Sequence, residues 1–200
     1  MGGEVLRWSA YRSMPWKNGG GTTREVASGN LRAPLAPAEH AEGFDWRVSV
    51  ADVDGGGPFS PFPGVDRVIT LVEGEGMVLT VEGTPQPVQP LSPFAFSGDA
   101  ATDCRLEAGA VRDMNVMTRR GRATAQVRIV AVAAAGGARM TCTTGETLLV
   151  MAVTEGITVG GTDGRETVLG RLDCVHEEGP GALTLRGDGT VAAIRITAEP

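Results

Sequence analysis

The sequence predicts an all-β protein, and three observations carry that prediction. Glycine (29) and proline (12) make up about a fifth of the 200 residues. They interrupt the chain roughly every eight to twelve positions, the spacing of short strands joined by turns. Apolar and polar residues alternate in the manner of half-buried strands. No segment holds the period of a long amphipathic helix; the most helix-tolerant stretch, Val127–Ala135, is rich in β-branched residues and reads as strand.

Phe44–Asp52 (FDWRVSVAD) sets Phe44, Trp46, Val48 and Val50 on one face and Asp45, Arg47, Ser49 and Ala51 on the other. Arg67–Gly74 (RVITLVEG) is a strand closed by glycine, and Gly76–Gly83 (GMVLTVEG) follows at once, so the GEG between them reads as a hairpin turn. Arg112–Gly121 and Val127–Ala135 are further strands. ETLLVMAVTEG, GITVGG, RETVLGRLDCVHEE, GALTLRG and GTVAAIRITAE have the lengths of a second small set. Gly29–Gly43, with Pro34 and Pro37, reads as a loop. All nine aromatic residues lie between Trp8 and Phe96. The second half is thus an aliphatic scaffold, and flat recognition surfaces belong to the first. A boundary near Arg122–Gln126 gives two β-domains, residues 1–125 with the unusual motifs and residues 126–200 as scaffold.

Composition excludes several classes. A net charge of -6 argues against a nucleic-acid partner, which calls for a basic face. The longest apolar runs, Ile129–Ala135 and Leu148–Val153, fall far short of the roughly 20 residues of a membrane span. The N-terminus carries no apolar signal-peptide core, and Leu6 stands where myristoylation needs Ser or Thr. Cys104, Cys142 and Cys174 are odd in number and far apart, which suggests neither a disulfide framework nor a zinc knuckle. A reduced, cytoplasmic protein is expected. With two histidines, His40 and His176, an imidazole cluster is nearly excluded. His176, beside Glu177 and Glu178, reads as a solvated turn residue.

Three segments could carry chemistry. Met14–Val26 (MPWKNGGGTTREV) contains the sole lysine, Lys17, followed by Asn18, Gly19–Gly21, Thr22 and Arg24. Its glycines can let backbone approach a ligand or form an anion-binding nest; a plain turn fits the composition as well. In Pro58–Gly76, Arg67 shares the face of Ile69 and Leu71. An arginine fork at the mouth of an apolar face suits a carboxylate, and an ordinary ion pair with Asp66 or Glu73 would explain it equally. In Ala108–Gly121, Asp113, Asn115, Met117 and Arg119 share one face. Asp and Asn are poor strand formers, worth placing there if they line a polar cavity or meet water. Arg119, Arg120 and Arg122 form a basic cluster expected to pair locally.

PWKNGGGTTREVA, FDWRVSVADV, GPFSPFPGVDRVITLVEGEGMVL and VRDMNVMTRRG, in this order, resemble the HutD/Ves family of bacterial proteins. The resemblance is strong over Val5–Gly121. It implies a cupin-type fold, two small β-barrels in one chain (a bicupin), and a role near histidine catabolism. The implied ligand is a small acidic intermediate such as urocanate or a formylated or formiminated glutamate, bound to restrain the pathway. Cupin enzymes hold a metal through histidines in two paired motifs. Here those regions read PGVDRVITLVEGEG and EAGAVRDMNVM, without histidine, so no metal and no other cofactor is expected.

The resulting expectation is a metal-free protein that binds a small carboxylate. Arg67 and Arg47 act as clamps. Trp16, Lys17, Asn18, Gly19, Gly20, Thr22 and Arg24 close the site from the N-terminal loop, and Trp16 or Trp46 forms a flat wall. Asp113, Asn115 and Met117 complete the lining. Two alternatives stand beside it: a cupin isomerase or hydrolase with Asp113 as base and Lys17 as acid, and a protein-docking module. The resemblance also implies a homodimer.

Overall fold

A computed structural model describes residues 3–16, 19–31, 43–161 and 164–199. Lys17, Asn18, His40 and most of the expected 29–43 loop lie outside the described residues. Among the described residues the fold is all-β, with one 3-10 turn at Trp8–Ala10. The strands are β1 (Glu4–Leu6), β2 (Arg12–Pro15), β3 (Gly21–Gly29), β4 (Trp46–Val53), β5 (Gly57–Pro58), β6 (Val65–Glu73), β7 (Met77–Val81), β8 (Thr84–Val88), β9 (Phe94–Ser97) and β10 (Thr102–Leu106). They continue as β11 (Val111–Arg119), β12 (Ala123–Val132), β13 (Ala138–Cys142), β14 (Glu146–Ala152), β15 (Ile157–Gly160), β16 (Glu166–Leu169), β17 (Cys174–Glu178), β18 (Gly181–Gly187) and β19 (Gly189–Ala198). No described helix is long and apolar enough to cross a membrane.

The chain forms two compact units. One comprises Arg12–Thr124 with the C-terminal Glu199; the other comprises the residues up to Tyr11 together with Ala125–Ala198. The first residues join the C-terminal unit because β1 pairs antiparallel with β17, Val5 opposite Val175. Tyr11 reinforces this by donating its hydroxyl to the Leu172 carbonyl at 3.0 Å.

The unit of Arg12–Thr124 has two sheets, ordered β2-β3-β4-β11-β6-β9 and β5-β10-β7-β8. Their inner faces share a core: Ala51, Ile69 and Leu71 from the larger sheet meet Met77, Leu79, Val88 and Cys104 from the smaller. Each large apolar side chain buried here contributes about 1.5–3 kcal/mol. The other unit pairs β1-β17-β14-β19-β12 with β13-β18-β15-β16 around Leu148, Val150, Ile157, Leu183 and Leu185. These are pairs of open sheets, not the closed barrels expected from the resemblance.

Two local readings are corrected. The segment at Gly74–Gly76 is not a hairpin turn: β6 pairs with β11 and β9, whereas β7 pairs with β10 and β8. The chain crosses from one sheet to the other there, with Gly74 at φ 97° and a Cβ added to it 2.8 Å from a Val111 methyl. Turn chemistry permits both outcomes, and sheet membership decides between them. His176 lies within β17 rather than in a turn, and its Nε2 stands 3.2 Å from Glu178 Oε1.

Candidate functional site

The middle of the six-stranded sheet places side chains in rows across the strands. One row reads Arg47 (β4), Met117 (β11), Arg67 (β6) and Phe96 (β9). The next reads Glu25, Ser49, Asn115 and Ile69, and the third Met14, Thr23, Ala51, Asp113 and Leu71. Side chains on a strand alternate in direction, so all of these face the smaller sheet. An irregularity between Arg112 and Asp113 shifts the register, so that Arg112 stands opposite Glu73 and Asp113 opposite Leu71. Such bulges commonly sit beside functional sites and re-aim a side chain.

The rows open on a cavity of about 550 Å³. Its floor carries Arg47, Arg67, Ser49, Asp113, Asn115 and Met117; its wall is formed by Trp16, Phe59 and Phe62 with Pro15, Pro58 and Ser60, beside Met14, Thr23 and Ala51. Trp16 is fixed by its indole N–H, which donates to Thr23 Oγ1 at 2.7 Å.

Arg67 dominates the site. It is 5% exposed, and its Nε has no hydrogen-bond partner. Its guanidinium carbon lies 4.9–5.3 Å from the ring centres of Phe59, Phe62 and Phe96. Burial lowers its pKa to about 10, with Asp113 opposing and Arg47 adding to the shift. The two acids considered for it are engaged elsewhere: Asp66 stands 3.4 Å from Arg120, and Glu73 accepts from Arg112 at 2.7 Å. Arg47 by contrast donates its Nε to Glu25 at 2.8 Å. Asp113 is 2% exposed and Asn115 7%, and the Oδ1 of each is buried without a partner. Burial raises Asp113 to about 7; Arg67 opposes this and Asp52 adds to it. Unpaired buried polar atoms are costly and uncommon, so several on one cavity floor point to a ligand.

Of the expected residues, Trp16, Arg47, Arg67, Asp113, Asn115 and Met117 meet at the cavity. Gly19, Gly20, Thr22 and Arg24 do not line it. Thr22 alternates away from Thr23, and Arg24 is drawn into an ion pair with Asp52. Trp46, on the face opposite Arg47, is buried away from the cavity. Gly21 has a packing role: a Cβ there would stand 2.3 Å from the Asp52 carbonyl oxygen and 3.1 Å from the Trp16 ring. The basic cluster pairs locally as expected: Arg122 with buried Asp45 at 2.8 Å, Arg120 with Asp99, and Arg119 with the ring and carbonyl of Phe44. The phenyl cage is the part the sequence reading missed. Its signal was PFSPFPG just ahead of Arg67.

The lining offers one carboxylate, no imidazole and no thiolate among the described residues, and nowhere among them do three or more metal-type ligands cluster. That donor set does not fit a cupin metal, whose ligands are imidazoles and a carboxylate.

The all-β fold, with a cavity inside a sheet pair, is cupin-like. The whole chain superimposes on a cupin 2 conserved barrel domain protein from Leptotrichia buccalis, with a TM-score of 0.57, 8% identity and 98% of that chain covered, a likeness of fold alone. The HutD family model matches residues 8–194, and the chain belongs to the HutD family. It is 37% identical over 178 residues to an uncharacterized 21.2 kDa protein in the hutC 3' region of Pseudomonas putida, covering 88% of this chain and 87% of the relative. It is 42% identical over 129 residues to Protein Ves of Citrobacter koseri, covering 62% of this chain and 63% of that one. The solved structure of HutD from Pseudomonas fluorescens SBW25, in a formate condition, matches with a TM-score of 0.81 and 36% identity over 98% of this chain and 99% of that one.

Proposed function

We propose that the cavity binds a small organic anion, and that the protein serves histidine utilisation as a ligand-binding, regulatory component. The observation that carries this is Arg67, nearly buried, caged by three phenyl rings and lacking a partner for its Nε. A carboxylate matches the guanidinium fork and supplies the absent charge. Trp16 and Phe62 offer flat apolar surface for the rest of the ligand. Two names add support: the P. putida relative lies beside hutC, and the P. fluorescens HutD structure came from a formate condition. The ligand class is then an acidic intermediate, of the urocanate or of the formyl- or formiminoglutamate type.

Thermal unfolding tests this directly. Formate, glutamate, formylglutamate, formiminoglutamate and urocanate are each added to EDTA-treated protein. An acid at about a hundredfold over its Kd adds roughly 2.7 kcal/mol. A shift with one acid, absent in Arg67→Met, supports the reading; no shift with any acid overturns it. A second reading, an enzyme on the same substrate, is favoured by one observation: Asp113, held near neutrality in the cavity, suits proton transfer. Turnover of a bound acid, lost in Asp113→Asn, would establish it.

A further inference from the structure

The unpaired atoms on the cavity floor are of two kinds. Arg67 Nε is a donor; Asp113 Oδ1 and Asn115 Oδ1 are acceptors. Asp113 and Asn115 point the same way, about 7 Å apart along β11. A carboxylate brings acceptors alone. It satisfies Arg67 but sets oxygen against oxygen at Asp113, a buried position where the repulsion is poorly screened. Asn115 can turn its amide to present N–H. An ionised Asp113 has no such option.

The charges around Asp113 make the conflict sharper. From β6 it faces Arg67, which among the described residues is the uncommitted cation acting on it. From β4 come Arg47, which Glu25 of β3 holds, and Asp52, which Arg24 and Arg112 hold. On its own strand Arg112 is committed to Asp52 and Glu73. From β10 comes Cys104, whose thiol is kept protonated mainly by burial; Asp103 beside it alternates outward to solvent. Among the described residues no basic side chain stands within ion-pair distance of Asp113. Among the described residues, a bound anion and an ionised Asp113 would therefore share one guanidinium. Two buried carboxylates in that position cannot both stay charged.

We infer that Asp113 selects the charge of the ligand by entering the complex as the neutral acid, its hydroxyl donating to an oxygen of the bound anion, so that one proton is taken from solvent with each anion. This rests on the anion-binding reading above and adds to it a specificity: the site admits a monoanionic group at this position and disfavours ligands that cannot accept a hydrogen bond there.

The experiment is calorimetric titration of the whole protein with formate and with formylglutamate, neither of which titrates near neutral pH. It is run at about pH 8 in HEPES and in Tris, whose ionisation heats differ. The dependence of the measured heat on the buffer gives the protons exchanged. About one proton taken up, with affinity falling about tenfold per pH unit above pH 8, is the expected result. In Asp113→Asn the buffer dependence and the pH slope disappear. Binding by the wild-type protein with no proton uptake, or with release, overturns the inference, as does an unchanged pH slope in the variant. The wild-type titration decides the matter even if the variant fails to fold. No heat at about pH 6, where Asp113 already carries its proton, removes the anion-binding reading itself, and the inference falls with it.

Discussion

Replacing Arg67 with methionine should make the protein more stable and leave it unable to bind. Burial holds the Arg67 pKa at about 10. At roughly 1.4 kcal/mol per pH unit, the desolvated charge costs on the order of 3 kcal/mol relative to a solvated guanidinium. The three phenyl rings return part of that, about 0.5–1 kcal/mol each. Methionine fills a similar volume, and its sulfur retains favourable contact with the rings. The rings return about 1.5–3 kcal/mol in all. With about 0.3–1.5 kcal/mol from methionine's own ring contact, the net gain is on the order of 1–2 kcal/mol, or a rise of a few degrees in Tm for a chain of this size. The gain should be larger at pH 6 than at pH 8. Arg67 opposes the upward shift of Asp113, so without it Asp113 carries an uncompensated charge once the pH exceeds its pKa. Differential scanning calorimetry at both pH values, with and without formate, tests all three parts. A variant less stable than the wild-type protein at pH 6, or one that keeps its formate shift, would refute the reasoning. Such a trade between stability and function is common where a site holds an unsatisfied group.

Other outcomes can be checked alongside. Asp113 has a folded pKa of about 7, raised above its unfolded value. Its contribution is therefore fully present below about pH 4 and is lost as pH rises through 7. Asp113→Asn should remove that fall, gaining on the wild-type protein at pH 8 but not at pH 4.5 in urea titrations. Arg122→Ala strands the fully buried carboxylate of Asp45, which accepts from Arg122 at 2.8 and 3.1 Å and from the Leu31 N–H at 2.9 Å. It should cost about 3–5 kcal/mol, read as a lowered urea midpoint. Gly21→Ala drives a methyl against the Asp52 carbonyl oxygen. It should cost about 1–3 kcal/mol and change the Trp16 fluorescence.

The inner face of the site was legible because strand alternation is strict there. Arg47, Arg67, Asp113, Asn115 and Met117 could be assigned by parity, and the register of β4, β11 and β6 places them in adjoining rows. What parity could not supply was anything that depends on contacts between separated segments. The phenyl cage joins Phe59 and Phe62, ahead of β6, with Phe96 on β9. The pairing of β1 with β17 spans most of the chain. The GEG segment carries the glycines of a hairpin, yet nothing local states that its two strands belong to different sheets. The glycine run at Gly19–Gly21 has the composition of a ligand cradle. The close approach of the Asp52 carbonyl to Gly21 explains one of its members by packing.

The placement of Arg67 is informative because acids are abundant. The chain has 24 acidic residues against 18 lysines and arginines. Its arginines find them readily: Arg7 with Asp173, Arg24 with Asp52, Arg47 with Glu25, Arg122 with Asp45, Arg195 with Glu146. Even the residue next to Arg67 is an aspartate. Alternation turns Asp66 to the opposite face, where it meets Arg120. In the rows beside Arg67 the inward positions are Met117, Asn115 and Ser49, which are neutral, and Glu25, which Arg47 already occupies. Any neutral position there could hold a carboxylate and satisfy the guanidinium permanently. Asp113 is the nearest approach to that arrangement, and it lies beyond ion-pair distance. A protein under pressure for stability alone would close the gap with one substitution. The gap is as expected for a site whose second carboxylate arrives from outside, with the buried acid beside it carrying the proton that lets it stay.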